Sequence, residues 1–314
     1  MRRARESGVA AITAVLIVAV AASAAAMMLA QQSATLDQAL LVAARAQADE
    51  YAQAGVDWAR GVLAEDARTG GAVDSLAEGW AQPIAALPVE RAVVSGAIDD
   101  EQGKLNLNNL VVGNHRSEED VAIFGRLLAS LGLPPQLADA VVDWIDRDGE
   151  LTSGAGAEDP YYLALPRPYR AANQPMVQVE ELYRVKGFDA ATVAKLLPYV
   201  TALPSATRTP INANTASAEL LAAVLPKVPR AAIEAKVAER VKKPFASAAE
   251  VSDWVRSVDP KASAGGLDVK SAFFTVRVQV AQDEVELGTE ALLERTLAAG
   301  KPPDTSVVWR RPRY

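Results

Sequence analysis

The chain has no cysteine and a single histidine among its 314 residues. Without cysteine there is no disulfide, no thiolate nucleophile and no thiolate metal site. His115 stands in a polar stretch ahead of a helical pattern and reads as a surface residue. Serine-type acyl transfer would need it beside a nucleophile-elbow glycine pattern, which is missing. A glycine-rich phosphate cradle is missing too. Aromatics make up only 5% of the chain; Trp58, Trp80, Trp144, Tyr161, Tyr162 and Tyr169 read as core or interface anchors. Positive charge is in deficit. The net charge is −7, and it becomes −9 once residues 1–8, with their three arginines and one glutamate, are set aside. That balance argues against a nucleic-acid role for the chain as a whole.

What the sequence has in excess is uninterrupted apolar residues. Val9 to Ala30 is a run of 22 in which only Thr13 and Ser23 are polar. As a helix it reaches roughly 33 Å, enough to cross a bilayer core. Arg2, Arg3 and Arg5 precede it and favour a cytoplasmic N-terminus, which puts the remainder on the far side of the membrane. Three readings compete: a secretory signal cleaved around Ala21–Ala26, a plain anchor, or a prepilin-type leader cut between Gly8 and Val9. The apolar core of a signal peptide usually runs to about 7–15 residues, and this one is longer. The pattern also continues, with Leu36, Leu40, Ala43, Tyr51, Ala54, Trp58 and Val62 at helical spacing to about Asp66 and a break at Thr69-Gly70-Gly71. One long helix of this kind favours the third reading.

Beyond the break, Arg91–Ile98 and Lys104–Leu107 read as strands joined by a turn at residues 99–103, so that Asp99, Asp100 and Glu101 belong to a hairpin turn. Near the other end Phe273–Val280 alternates cleanly, Gln282-Asp283 turns, and Val285–Thr296 returns as a second strand. With the long helix these pieces make a pilin-like α/β unit with a small antiparallel sheet. Between them lies a large all-α insertion. Its helix pairs are expected at Glu119–Leu131 with Pro134–Asp146, Gln178–Lys186 with Asp189–Val200, and Ser217–Leu225 with Pro229–Val241. A capping box at Ser247–Glu250 opens one more helix. The expected fold class is therefore α+β. The expected division is leader 1–8, membrane segment 9–30, pilin-like parts 31–113 and 267–300, helical insertion 114–266, and a basic tail 301–314.

Two motifs could carry chemistry. Asp143, Asp146, Asp148, Glu150, Glu158 and Asp159 form the densest set of oxygen donors, alternating around Gly149. Hard cations such as calcium take six to eight oxygens, roughly, from such segments; the spacing is not that of an EF-hand, and a solvated acidic loop has the same composition. The other motif is Ile211-Asn212-Ala213-Asn214-Thr215-Ala216 followed by a helix pair, which resembles the DNA-binding helix-hairpin-helix. That module needs backbone amides in its hairpin, and here Pro226 and Pro229 remove two of them. Lys227, Arg230, Lys236, Arg240, Lys242 and Lys243 read as a solvated helix face. A membrane-anchored DNA-uptake protein remains the alternative.

Several motifs together resemble those of the minor pseudopilin K of type II secretion systems. They are Arg5-Glu6-Ser7-Gly8 before Val9-Ala10-Ala11-Ile12-Thr13, Asp143-Trp144-Ile145-Asp146, Gly156-Ala157-Glu158-Asp159 with Tyr161 and Tyr162, Tyr169-Arg170-Ala171-Ala172-Asn173, and the Ile211–Ala216 motif. Their order and spacing span nearly the whole chain; the basic Arg310-Arg311-Pro312-Arg313 is not part of the resemblance. The resemblance implies processing by a prepilin peptidase, anchorage in the bacterial inner membrane and a periplasmic bulk. It also implies a structural rather than enzymatic role at the filament tip. Partners would be I- and J-type minor pseudopilins and the major pseudopilin. Thr13 stands where most pilins carry glutamate, as is typical of the K component. Calcium in the helical domain is a further implication, with the acidic set above as the best match. Leu36, Leu40, Tyr51 and Trp58, with Thr13, are the expected assembly stripe.

Overall fold

A computed structural model describes residues 2–313 apart from 70–72, 205 and 297–303; the side chains of residues 1–8 and the Gly70-Gly71 break lie outside the described parts. The first element is one continuous helix, α1 (Arg2–Thr69). It carries the stretch apolar and long enough to cross a membrane, and none of the described residues buries that stretch. The upper part of α1 lies on a five-stranded sheet. The strands are β1 (Ile84–Val89), β2 (Ala92–Asp100), β3 (Phe273–Gln282), β4 (Val285–Thr296) and β5 (Asp304–Arg313), side by side in that order and all antiparallel.

The face of α1 that packs on the sheet is not the one that carries its larger residues. The buried stripe is Ala48, Ala52, Val56, Ala59 and Leu63, facing Phe274, Val276, Val278 and Val280 of β3. Trp58 on the neighbouring face is exposed and Tyr51 half-buried. Small residues win because helix and sheet approach so closely: a Cβ on Gly55 would stand 2.9 Å from the Val278 side chain. Trp80 closes the layer edge-on against Phe274, with ring centroids 5.2 Å apart.

Strands β3 and β4 form where the alternation placed them. The hairpin expected between residues 91–98 and 104–107 does not. Asp100 accepts a hydrogen bond from the Gln102 amide, folding 101–103 into a single 3₁₀ turn that leads out of the sheet. Leu105–Asn106 then pairs in parallel with Val200–Thr201. The flanks of β2 are filled by β3 and by β1, a strand the sequence reading did not contain. Its pattern is masked by Pro88, tolerable on an edge strand, and by Ala86 at φ 62, where the register slips. The basic C-terminal segment is likewise no tail: from Asp304 to Arg313 it pairs along β4 as the other edge.

The chain leaves the sheet after β2 and returns at β3. In between are helices α2 (Glu118–Ser130), α3 (Leu137–Ile145), α4 (Asp159–Leu163), α5 (Ala190–Leu196), α6 (Ala218–Val224), α7 (Arg230–Arg240) and α8 (Ala248–Val258). The segment expected as helix 178–186 is a 3₁₀ turn, Val179–Arg184. Ser247 caps α8 as expected: its Oγ accepts from the Glu250 amide, and the Glu250 carboxylate accepts from Ala246 N. One continuous core, built on residues such as Leu107, Phe124, Leu127, Val141, Leu220 and Ile233, unites the module. Chain entry and exit meet at a buried joint. The Asp100 carboxylate accepts from Asn212 Nδ2, Thr215 Oγ1 and Ser271 Oγ at 2.9, 2.6 and 2.7 Å. Arg295 of β4 pairs with Asp66 and Asp74 and donates to Ser271 O. Asp66 sits in the last turn of α1, so the helical module lies at the end of α1 away from the apolar segment.

Candidate cation site and anchor helix

The acidic set resolves into a tighter group than the sequence suggested. Asp143 lies on α3 and Asp146 at its C-terminal cap, Asp148 follows in the turn, and Glu158 precedes α4. Asp146, Asp148 and Glu158 each bring a carboxylate oxygen within 4.8 Å of the others. Asp143 Oδ1 accepts from Thr152 N at 3.0 Å. Its Oδ2 is buried with no donor, as are Asp146 Oδ1 and both Glu158 oxygens. Among the described residues no lysine or arginine forms an ion pair with any of these four. Lys186, close by, spends its ammonium on the Gly156 carbonyl at 2.8 Å.

Packing this much negative charge out of water raises its proton affinity. Burial, then the charges of Asp146, Asp143, Asp148 and Asp159, push Glu158 up to about 7. Burial, then Asp148 and Asp143, push Asp146 up to about 6. Asp143 is raised as well, by burial first. A folded protein does not leave buried carboxylate oxygens unpaired without a reason, and a hard cation supplies one. Gly156 shapes the pocket, since any Cβ there would overlap the Asp143 carboxylate.

Two of the six residues expected as ligands fall outside. Glu150 stands outside the group that comes within 4.8 Å, whereas Asp148, exposed like it, stays inside, and Asp159 is taken by Arg170 at 2.6 Å and by the Ala171 amide. One residue was missed. Asn173, in the left-handed region at φ 47, has a buried Oδ1 without a donor, while its Nδ2 donates to Asp148 O. Only its position in the Tyr169–Asn173 motif hinted at a role. Behind the site Trp144, Tyr162 and Tyr169 pack together, with Tyr162 and Tyr169 stacked at 5.3 Å. The oxygen-only donor set fits calcium chemistry.

On α1, Leu36 and Leu40 are 60% and 59% exposed and Trp58 54%, an unburied stripe above the apolar segment. Tyr51 departs from it: its hydroxyl donates to Glu90 at 2.8 Å and holds the β1–β2 turn. Thr13 Oγ1 donates to Val9 O of its own helix at 2.8 Å. His115 is exposed.

Four of the six basic residues of the nucleic-acid alternative are engaged within the fold. Arg230 is paired with Glu219 and Glu234, and Lys236 with Glu239. Lys227 donates to Lys261 O, and Arg240 is buried against the Ala213 and Ala216 carbonyls. Asn212 belongs to the joint, and Asn214 pins Phe245 by two hydrogen bonds.

A membrane-length helix laid on an antiparallel sheet, with a helical module inserted between strands, defines a membrane-anchored subunit of pilin-like architecture. Family models described as type II secretion system protein K match residues 103–205 and 211–270. Protein K of Pseudomonas aeruginosa is 34% identical over 99% of this chain and 93% of its own length. That of Aeromonas hydrophila is 33% identical over 95% and 94%. A chain of the GspK-GspI-GspJ complex from enterotoxigenic Escherichia coli superposes with TM-score 0.73 at 25% identity, covering 85% of this chain and 96% of that one. The chain belongs to the type II secretion system protein K family, and is a minor pseudopilin, a structural component of that system.

Proposed function

We propose that this chain sits at the tip of the secretion pseudopilus, where it starts or caps the filament that moves folded proteins across the outer membrane. The observation that carries this reading is the place of the helical module. Asp66, joined to it through Arg295, lies 36 residues past Ala30, so the module stands roughly 54 Å along α1 from the end of the apolar segment. Bulk at that end leaves room for subunits below and none above. A prepilin peptidase removes residues 1–8 by cutting between Gly8 and Val9. The helix holds the precursor in the inner membrane with its N-terminus cytoplasmic and its bulk periplasmic. Leu36, Leu40 and Trp58 meet the helices of I- and J-type minor pseudopilins and of the major pseudopilin. In lipid a charge needs a partner; Thr13 offers none to the N-terminal amine of another subunit, which suits a first subunit. The role is assembly, with no catalytic step and no nucleic-acid partner.

Asp143, Asp146, Asp148, Glu158 and Asn173 would hold a calcium ion, whose charge offsets theirs and ties the 146–158 loop to α3 and α4. The test of the assembly reading is the mature N-terminus of membrane-extracted protein, measured by mass spectrometry. A start at Val9 is expected. A start near Ala24–Ala26, or an uncut chain in cells with active peptidase, overturns it.

A further inference from the structure

The C-terminal strand does more than fill a sheet edge. Successive residues of β5 face opposite sides of the sheet, and two adjacent arginines use both. Arg310 reaches α1, donating to Asp49 at 2.7 Å and to Gln53. Arg311 points to the other face and crosses to the helical module, donating to Glu180 at 2.7 Å and to Gln178 at 2.6 Å. It stays anchored to its own sheet through Glu290, its register partner on β4, and lies over the Trp309 ring at 4.9 Å.

Two polar ties fasten the module to the sheet. One attachment is the buried joint at Asp100, Asn212, Ser271 and Arg295. The other is the Arg311–Glu180 bridge. Along β4 the two anchors, Arg295 and Glu290, are five residues apart, or roughly 17 Å. Between them Leu203 of the module is buried against Phe273 and Leu292 of the sheet, with Trp309 packed alongside, and a cleft of about 640 Å³ runs beside this contact, lined also by Val177 and Arg311. A body held at the joint and by this small apolar contact can still rock about them. A further tie at that distance removes the freedom.

We propose that β5 is a clasp that, with the buried joint, forms a two-point mounting and fixes the angle between the helical module and the long helix. Thrust along α1 then reaches the module without a hinge. Glu180 and Arg311 are 43% and 31% exposed, so the clasp is the weaker of the two attachments.

The absence of cysteine makes the test direct. Spin labels at Glu50→Cys and Lys243→Cys, both on exposed positions, report the distance between helix and module in the full chain in detergent micelles, read by pulsed electron resonance. One narrow distribution is expected. Arg311→Ala, which cuts the bridge from the strand, and Glu180→Ala combined with Gln178→Ala, which cuts it from the module and leaves the strand untouched, should each roughly double its width. A distribution already broad in the parent, or no widening in both variants, overturns the clasp. Widening by Arg311→Ala alone overturns it too, because the effect then belongs to the strand and not to the bridge.

Discussion

Gly156 lies so close to Asp143 that a single methyl group would occupy the space of the carboxylate. Asp143 Oδ2 is one of the buried oxygens left without a donor. Gly156→Ala should therefore displace Asp143 without touching any charge. Calorimetric titration with calcium should show binding at least about tenfold weaker, one lost ligand being worth upward of 1.4 kcal/mol. Unchanged affinity would remove Asp143 from the ligand set.

The same cluster makes a signed prediction about pH. Glu158 and Asp146 have folded values of about 7 and about 6, raised first by burial and then by neighbouring carboxylates. For a raised acid the folded state holds the proton more tightly than the unfolded one. Stability is then gained at low pH and falls as pH rises from the unfolded values toward the folded ones. In chelator the protein should melt higher at about pH 5.5 than at pH 8. Glu158→Gln should shrink the difference, and calcium should restore the melting temperature at pH 8. A calcium-independent melting temperature at pH 8 would contradict the cation reading.

Asp100 tests the joint. Three side-chain donors converge on its Oδ2 and the Gln102 amide points at Oδ1. Asparagine has the same shape but must turn an NH₂ toward donors on one side or the other. Asp100→Asn should cost about 2–4 kcal/mol, the penalty for a buried mismatched donor. Denaturant unfolding of the variant, read in chelator and in calcium, measures it; a loss well under 1 kcal/mol would mean that the joint tolerates rearrangement.

Gly55 tests the approach of helix to sheet. Gly55→Leu places a side chain where a Cβ already stands 2.9 Å from Val278. Overpacking of this kind costs about 1–3 kcal/mol, so the melting temperature should drop, while calcium affinity, set in the other module, should stay as it was.

The local signals were legible. Alternation from Phe273 onward, the Ser247 cap and the 22-residue apolar run each fix structure through neighbouring residues, and each is found in place. Errors gathered where a distant partner decides. Ile84–Val89 becomes a strand because β2 has an open flank, despite Pro88 and a left-handed Ala86. Arg310 and Arg311 read as a loose basic end until Asp49 and Glu180 meet them. The face of α1 that packs on the sheet had no mark in the sequence, because a close sheet selects alanine and glycine and not bulk.

The candidate cation site divides in the same way. Composition singled out Asp143, Asp146, Asp148 and Glu158 as candidates, since acidic residues so densely spaced need water or a counter-charge. Composition could not tell that Arg170 takes Asp159, that Glu150 stays outside the close group, or that Asn173 buries its side-chain oxygen. By itself, then, the sequence determined the anchor, the helix and strand periods and the charge of the site, because these depend on residue type and spacing along one segment. Only the tertiary structure decided which carboxylates lose their water, which edge the C-terminal strand closes and where the helical module is fastened, because these depend on groups distant along the chain, in places more than two hundred positions apart, being brought within hydrogen-bond distance.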